Sequence, residues 1–236
     1  MIKRVIDYIL PNRCIACLKL SSDNEGICAE CFMKLNFISS PYCQKCGSPF
    51  EFKIEHQLVC TKCVINPQKY FLARSLLRFD EESKKIIHNF KYNDATENAD
   101  IFAKMIIARY AKDFQGVNII APVPMNRFKR IFRRYNPAQI LAKSLSQRMN
   151  VSFIPDLLIK TKWTKAQTNL NKAQREKNLQ NSISMNPLYT DKKQNRTLKV
   201  LLVDDVRTTG ATCDNCVNVL QKAGVQEIRF ITIGAT

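Results

Sequence analysis

Paired cysteines constrain the first quarter of this chain more than any other feature of its sequence. All ten cysteines stand in C-x-x-C pairs, and four of these five pairs lie near the N-terminus, namely Cys14/Cys17, Cys28/Cys31, Cys43/Cys46 and Cys60/Cys63. A two-residue spacer lets both thiolates of a pair reach one tetrahedral zinc, at about 2.3 Å per bond. Two pairs close one structural site, so the eight thiolates suit two zinc ions. Disulfides or a redox relay are the alternatives, and regular C-x-x-C spacing in a cytosolic chain favours zinc over both.

The spacing alone does not decide which pairs share an ion, nor whether the module holds one zinc ion or two. Sequential pairing is the simplest, with ten residues between the first two pairs and thirteen between the last two. An interleaved pairing also satisfies the spacing. Closed four-thiolate sites are structural, so we expect a module that folds on metal and presents a surface. Cys213 and Cys216 have no second pair near them in sequence, and we interpret them as small buried apolar residues.

The first eleven residues resemble a signal peptide only superficially. Asp7 interrupts their apolar run, and no small-residue cleavage site follows. The apolar residues fall at helical spacing, which predicts a short amphipathic helix that ends at Pro11. No apolar run approaches the length needed to cross a bilayer. These observations predict a cytoplasmic protein.

Beyond about residue 69 the pattern changes to alternating strands and helices. Strands are predicted at residues 71–79, 117–121, 198–203 and 228–233, and helices at 83–92, 101–114, 136–149 and 212–223. The polar stretch 161–186 is predicted to be a mobile loop with a helical part. Such alternation predicts an α/β domain with a mostly parallel sheet flanked by helices. We therefore place the cysteine-rich module with the N-terminal helix in residues 1–68 and the α/β domain in residues 69–236.

The segment from Val200 to Thr212 joins a buried strand to a helix through an acidic pair and a threonine-rich turn. In open α/β sheets the carboxyl end of a strand is where ligands bind, and here it carries Asp204 and Asp205. Adjacent carboxylates accept hydrogen bonds from vicinal ribose hydroxyls and suit a hydrated Mg²⁺. The following turn offers backbone N–H groups and hydroxyls at a helix N-terminus, which suits a phosphate dianion. The segment therefore predicts a sugar-phosphate site.

This segment resembles the phosphoribosyl-pyrophosphate motif of type I phosphoribosyltransferases, and nearly the whole chain resembles the ComF (GntX-like) family. That family joins a double zinc ribbon to a phosphoribosyltransferase-like domain. Further matches are the motif Phe90-Lys91-Tyr92, the turn Ala121-Pro122-Val123-Pro124, and the loop motif Gln167-Thr168-Asn169-Leu170 with Arg175 and Asn178. The stretch Arg133-Arg134-Tyr135-Asn136-Pro137 departs from the family's usual Arg-Gly-Phe-Asn-Gln, so any role of that Gly and Gln is missing here.

The resemblance implies roles for individual residues. Asp204 and Asp205 would bind the ribose hydroxyls, and the 5′-phosphate would lie on Thr208 to Thr212. Val123 and Pro124 would meet the pyrophosphate, with Mg²⁺ between. The full set of expected substrate-binding residues is Val206, Arg207, Thr208, Thr209, Gly210, Ala211, Thr212, Val123, Pro124 and Lys91. The acceptor cannot be read from the sequence, so a transferase and a sensor that binds without turnover both stay open.

Positive charge is concentrated in the middle of the chain. Residues 123–199 hold 17 Lys and Arg against 3 Asp and Glu, which is most of the net charge of +17. The concentration favours a polyanionic partner, although a merely solvated face is the alternative. ComF-type proteins are associated with uptake of transforming DNA, so single-stranded DNA and the inner-membrane uptake machinery are the partners that the resemblance implies. Candidate phosphate-binding side chains are Arg127, Arg130, Arg133 and Arg134. The aromatic residues among them, and Trp163, are either stacking platforms or buried apolar residues.

Overall fold

The computed structural model of the protein describes residues 13–20, 26–51, 58–92, 95–125, 135–160, 182–191 and 197–236. The helices are α1 (Ala29–Met33), α2 (Thr61–Ile65), α3 (Glu81–Tyr92), α4 (Ala95–Tyr110), α5 (Pro137–Met149) and α6 (Ala211–Lys222). The strands are β1 (Leu72–Arg78), β2 (Ile119–Pro122), β3 (Ser152–Phe153), β4 (Leu158–Lys160), β5 (Ile183–Met185), β6 (Lys199–Arg207) and β7 (Glu227–Ala235). Short 3₁₀ turns lie at Lys112–Phe114 and Pro187–Tyr189. Within these described ranges no helix is long and apolar enough to span a bilayer.

Five strands form one parallel sheet in the order β1-β7-β6-β2-β3. Helices cover it, and the run Val200–Val203 on β6 is completely buried. A near-continuous apolar run of this kind is expected where a parallel strand has both faces covered. The sheet, its helices and the cysteine-rich module confirm the predicted fold class.

The central strand extends further than the sequence predicts. β6 continues past the expected end at Val203 to Arg207, because β7 continues beside it and pairs Val206 with Gly234 and Arg207 with Ala235. The acidic pair therefore lies within the last part of the strand and not in the turn behind it. Both carboxylate side chains are held by a paired backbone, which fixes their direction.

A second, two-stranded sheet was not predicted. β4 and β5 pair antiparallel, with Leu158 opposite Met185. The prediction of a loop over 161–186 is therefore wrong for its last residues, while 161–181 lie outside the described residues. Strands of three residues are too short for a sequence period to reveal. The predicted N-terminal helix also lies outside the described residues.

Candidate phosphate site and zinc centres

The eight cysteines of the four N-terminal pairs form two clusters, and the pairing is sequential. Cys14, Cys17, Cys28 and Cys31 make the first; Cys43, Cys46, Cys60 and Cys63 make the second. In each cluster the four sulfur atoms lie within 4.8 Å of one another. Four thiolates at this separation are the donor set of a closed structural zinc site, so both clusters fit Zn²⁺. We call the two halves of the module the first ribbon (residues 13–38) and the second ribbon (residues 41–65).

The first cysteine of each ribbon has the same electrostatic setting. Burial opposes ionisation of Cys14, but backbone N–H groups of Cys17 and Cys28 lower the pKa of its thiol to about 7. Burial likewise opposes ionisation of Cys43, whose pKa the N–H groups of Cys46 and Cys60 lower to about 7. The Cys28 N–H donates to Cys14 Sγ over 3.4 Å, and the Cys60 N–H donates to Cys43 Sγ over 3.3 Å. Each cluster thus has one thiol that ionises more readily than an ordinary cysteine, which favours metal binding.

The first ribbon packs on the helices α3 and α4. The Asn89 side-chain amide on α3 donates to the carbonyl oxygens of Ile15 and Ala16, over 2.8 and 3.1 Å. The first ribbon buries Cys14, Ile15, Ile27 and Leu35 in the same apolar cluster as the inner faces of α3 and α4. Backbone hydrogen bonds also join its last residues to β1, from the Ile38 N–H to the Leu76 carbonyl over 3.0 Å and from the Arg78 N–H to the Asn36 carbonyl over 2.8 Å. This ribbon is therefore attached to the outer helices of the domain and to β1.

The second ribbon packs on the opposite part of the core. The Ala73 N–H on β1 donates to the Lys45 carbonyl over 2.8 Å, and Arg74 donates to the Gln44 carbonyl over 3.0 Å. Gly47 lies so close to Ala73 that a Cβ there would meet its carbonyl oxygen at 2.6 Å. The buried cysteines of this ribbon share an apolar cluster with Cys213 and Cys216 on α6. Those two cysteines are 3% and 0% exposed, which confirms that they are buried apolar residues.

The acidic pair is joined to α3 by an ion pair. Lys91 Nζ lies 3.0 Å from Asp205 Oδ2, and the two side chains are 19% and 18% exposed. Asp204 turns its Oδ1 to the N–H of Asp205, 2.9 Å away. Helix α3 begins with a reciprocal cap, in which the N–H groups of Asp80 and Ser83 each donate to the other's side chain over 2.8 Å. The cap sets where the helix starts, and Lys91 in its last turn consequently reaches the end of β6.

The phosphate loop, residues 207–212, turns directly from β6 into α6. Gly210 caps α6 with a φ of +86°, a conformation that other residues adopt only with strain. A small pocket of about 40 Å³ lies against the loop and is lined by residues that include Asp204, Arg207, Thr208, Gly210 and Thr212. The structure thus brings the predicted acid and loop residues together at one edge of the sheet.

Known proteins match both the cysteine-rich module and nearly the whole length of the chain. A family model described as a double zinc ribbon domain matches residues 5–64. Competence protein F of Haemophilus influenzae is 29% identical over 223 residues, which cover 92% of this chain and 94% of that protein. Competence protein ComFC of Bacillus subtilis is 22% identical, with coverage of 88% and 82%. These matches confirm the resemblance of the chain to the ComF family.

Among solved structures, a hypoxanthine phosphoribosyltransferase from Staphylococcus aureus covers 64% of this chain, and the match spans 71% of the enzyme, at 15% identity. The TM-score of this match is 0.38. The assignment of the fold therefore rests on the parallel sheet and its strand order in this protein.

The predicted pyrophosphate turn follows β2 and has its backbone already engaged. The Val123 N–H donates to the Val203 carbonyl over 2.8 Å, and the Val123 carbonyl accepts from the Asn136 amide over 3.2 Å. Pro124 has no N–H to offer. These two residues therefore shape the turn, and a pyrophosphate contact through them stays a prediction.

The predicted nucleic-acid residues Arg127, Arg130, Arg133 and Arg134 lie outside the described residues, as do Trp163 and the loop motif at 167–178. Of the aromatic residues in that stretch, Tyr135 is described. It packs against the core of α3 and α4, and its hydroxyl donates to the Phe90 carbonyl over 3.2 Å. Tyr135 therefore agrees with the alternative that these aromatic residues pack in the core, although it is only partly buried.

The sequence did not predict the residues that lie between the second ribbon and the phosphate loop. The ribbon and the loop border a common cavity of about 90 Å³, and its walls also include Lys62, Gln68 and Tyr70. None of these belongs to a motif, and they come together with the loop only through folding. The proximity of Lys62 to Cys60 and Cys63 gave no signal, because lysines are common in exposed turns.

Proposed function

We propose that this protein binds phosphoribosyl pyrophosphate at the acidic pair and the phosphate loop, and that it acts in the handling of transforming single-stranded DNA. The observation that carries the first part is the placement of Asp204 and Asp205 at the end of β6, immediately before a loop that opens α6. A ribose 5-phosphate needs this combination: acceptors for its hydroxyls and, one turn away, N–H donors for its phosphate.

Each group of the site has a role towards that ligand. Asp204 and Asp205 accept from the ribose hydroxyls, and the N–H groups and hydroxyls of Thr208 to Thr212 hold the 5′-phosphate. The Lys91 ammonium carries three donors, so it can keep Asp205 oriented while donating to a ligand oxygen. Asp204 and Asp205 would also hold Mg²⁺ through its water, and the ion would neutralise charge on the pyrophosphate.

Turnover is a second candidate function. Phosphoribosyl transfer forms a bond between a nitrogen nucleophile and the anomeric carbon while the bond to pyrophosphate breaks. The ion pair between Lys91 and Asp205 favours this candidate, because a cation beside the acidic pair is placed to stabilise departing anionic charge. A pyrophosphate-release assay over a panel of nitrogen acceptors and DNA separates a transferase from a protein that only binds.

The DNA part of the proposal is supported by the competence proteins of H. influenzae and B. subtilis and by the charge of residues 123–199. A cytoplasmic location with peripheral contact to the inner membrane belongs to the same proposal. Affinity for single-stranded DNA should fall steeply as salt rises, because released counterions drive phosphate contacts. An affinity that does not change with salt would contradict the proposal that residues 123–199 bind DNA.

Titration calorimetry with phosphoribosyl pyrophosphate tests the site itself. The unmodified protein should bind in the presence of Mg²⁺, and the double variant Asp204→Asn/Asp205→Asn should lose binding by about a hundredfold or more, since two charge-assisted hydrogen-bond acceptors are lost. The matched control is Glu81→Gln/Glu82→Gln, which removes the same charge from the exposed start of α3. Equal binding by the two double variants would refute the role of the acidic pair.

A further inference from the structure

The second ribbon forms one wall of the phosphate loop. The cavity of about 90 Å³ between them has Cys46, Lys62 and Cys63 on the ribbon side. Thr208, Thr209 and Gly210 line it from the loop side. Two zinc ligands and the tip of the loop thus border the same small space. The loop that is assigned to phosphate has its other face towards a metal centre.

Tyr70 stands between the two walls. Its side chain is 4% exposed and lines the cavity. Burial raises the pKa of Tyr70; the Arg207 guanidinium opposes that rise, and the sulfur atoms of Cys213 and Cys46 add to it. The cavity that Tyr70 lines has the loop on one side and the second ribbon on the other.

The ribbon is also tied to the helix that the loop opens. Just beyond the second ribbon, Lys69 Nζ donates to the Asn218 side chain over 2.7 Å. The Gln221 amide donates back to the Lys69 carbonyl over 2.9 Å. Both partners lie on α6, and the buried cysteines of the ribbon belong to the same apolar cluster as α6. The segment that directly follows the second ribbon is thus hydrogen-bonded to the helix that the loop opens.

We infer that zinc at the second ribbon positions the phosphate loop, and that zinc at the first ribbon does not. A small ribbon folds only when metal holds its thiolates. Without zinc the wall made by Cys46, Lys62 and Cys63 is lost, and the loop has fewer neighbours to hold its donors in place. Tyr70 and Lys62 are then positioning residues for the loop. This inference rests on the proposed sugar-phosphate site.

The two ribbons supply a matched pair of variants. Cys28 and Cys60 each precede a five-residue helix, with nearly equal backbone angles of φ −72°, ψ 154° and φ −68°, ψ 153°. Each opens the second C-x-x-C pair of its ribbon. Cys28→Ser should remove zinc from the first site alone, and Cys60→Ser from the second alone. Metal content measured on each purified variant verifies this.

Calorimetry with phosphoribosyl pyrophosphate and Mg²⁺ should show about tenfold weaker binding by Cys60→Ser, a size typical of coupled sites, and a smaller change in Cys28→Ser. Amide chemical shifts of Thr208, Thr209 and Gly210 in the ligand-free protein should move in Cys60→Ser and stay in place in Cys28→Ser. Equal losses of affinity in both variants, or unmoved loop amides in Cys60→Ser, would overturn the inference. Failure of the unmodified protein to bind would contradict the proposed function instead, while the amide shifts still decide the coupling.

If Cys60→Ser does not fold, the coupling can be tested with the unmodified protein and Cys28→Ser. Linkage between two sites is reciprocal in their equilibrium affinities, so phosphoribosyl pyrophosphate should raise the affinity of the protein for one of its two zinc ions, measured at equilibrium by competition with a chelator. Cys28→Ser, which keeps only the second site, should retain that rise. Equal zinc affinities with and without the ligand in Cys28→Ser would overturn the coupling.

Discussion

The two ribbons share their sequence pattern, their cluster geometry, the lowered pKa of their first cysteine and hydrogen bonds to β1, yet they pack against different helices of the domain. The first contacts α3 through Asn89, two residues before the Lys91 that pairs with Asp205. The second borders the phosphate loop directly and shares its apolar cluster with α6. Under the inference above, each ribbon supports a different half of the proposed site: the first supports the acidic pair through one helix, and the second supports the loop. We therefore expect the two metal modules to differ in their effect on the proposed site.

Removing both ions should have the largest effect and should not distinguish the ribbons. A strong chelator removes the binding free energy that folds each ribbon, of about 10 kcal/mol per structural zinc in isolated zinc peptides. The melting temperature should then fall by about 10 °C or more, given the usual shift of about 2–4 °C per kcal/mol at this size. Differential scanning calorimetry with and without chelator measures it. An unchanged melting temperature would show that neither ribbon depends on metal.

Acidification should weaken zinc binding in both ribbons alike. The pKa values of Cys14 and Cys43 are lowered from 9.0 to about 7. A thiol whose pKa is lower in the folded ribbon than in the unfolded chain stabilises the fold fully at pH values above its unfolded pKa. That stabilisation is lost as the pH falls through about 7, because protons then compete for the thiolates. Zinc release measured against pH in Cys28→Ser and in Cys60→Ser should give curves with similar midpoints. Midpoints separated by more than about one pH unit would contradict the electrostatic equivalence.

Lys91→Met tests the half of the site that the first ribbon supports. The change leaves Asp205 partly buried without its cation and should weaken binding of phosphoribosyl pyrophosphate about tenfold, in line with loss of a charge-assisted contact. Lys85→Met, on the exposed face of the same helix, is the matched control for the loss of charge. Calorimetry on both variants decides; equal affinities would remove Lys91 from the site.

Asn89→Ala should have the smallest effect and defines the link between the first ribbon and α3. It removes two hydrogen bonds and should lower the free energy of unfolding by about 1–2 kcal/mol. Amides at the Lys91 end of α3 should shift, whereas those of Thr208 to Gly210 should not. Urea unfolding and amide spectra measure the two effects. A shift of the loop amides would show that the first ribbon also acts on the phosphate loop.

Local patterns were sufficient for much of this structure. The C-x-x-C pairs identified both metal clusters, and Val200 to Thr212 identified a buried strand, its acidic pair and the loop, because each of these depends on residues adjacent in sequence. The end of β6 was misjudged because it depends on β7 beside it. Tyr70, Lys62 and the partner of Lys91 could not be predicted, since tertiary contacts alone bring them to the site. The domain boundary near residue 68 stays a prediction.

A structure of the unmodified protein with phosphoribosyl pyrophosphate and Mg²⁺ tests the account most directly. We predict ribose hydroxyls on Asp204 and Asp205, and the 5′-phosphate on the N–H groups of Thr208 to Thr212 opposite the second ribbon. A ligand bound away from the end of β6, or a phosphate that leaves the loop empty, would contradict it.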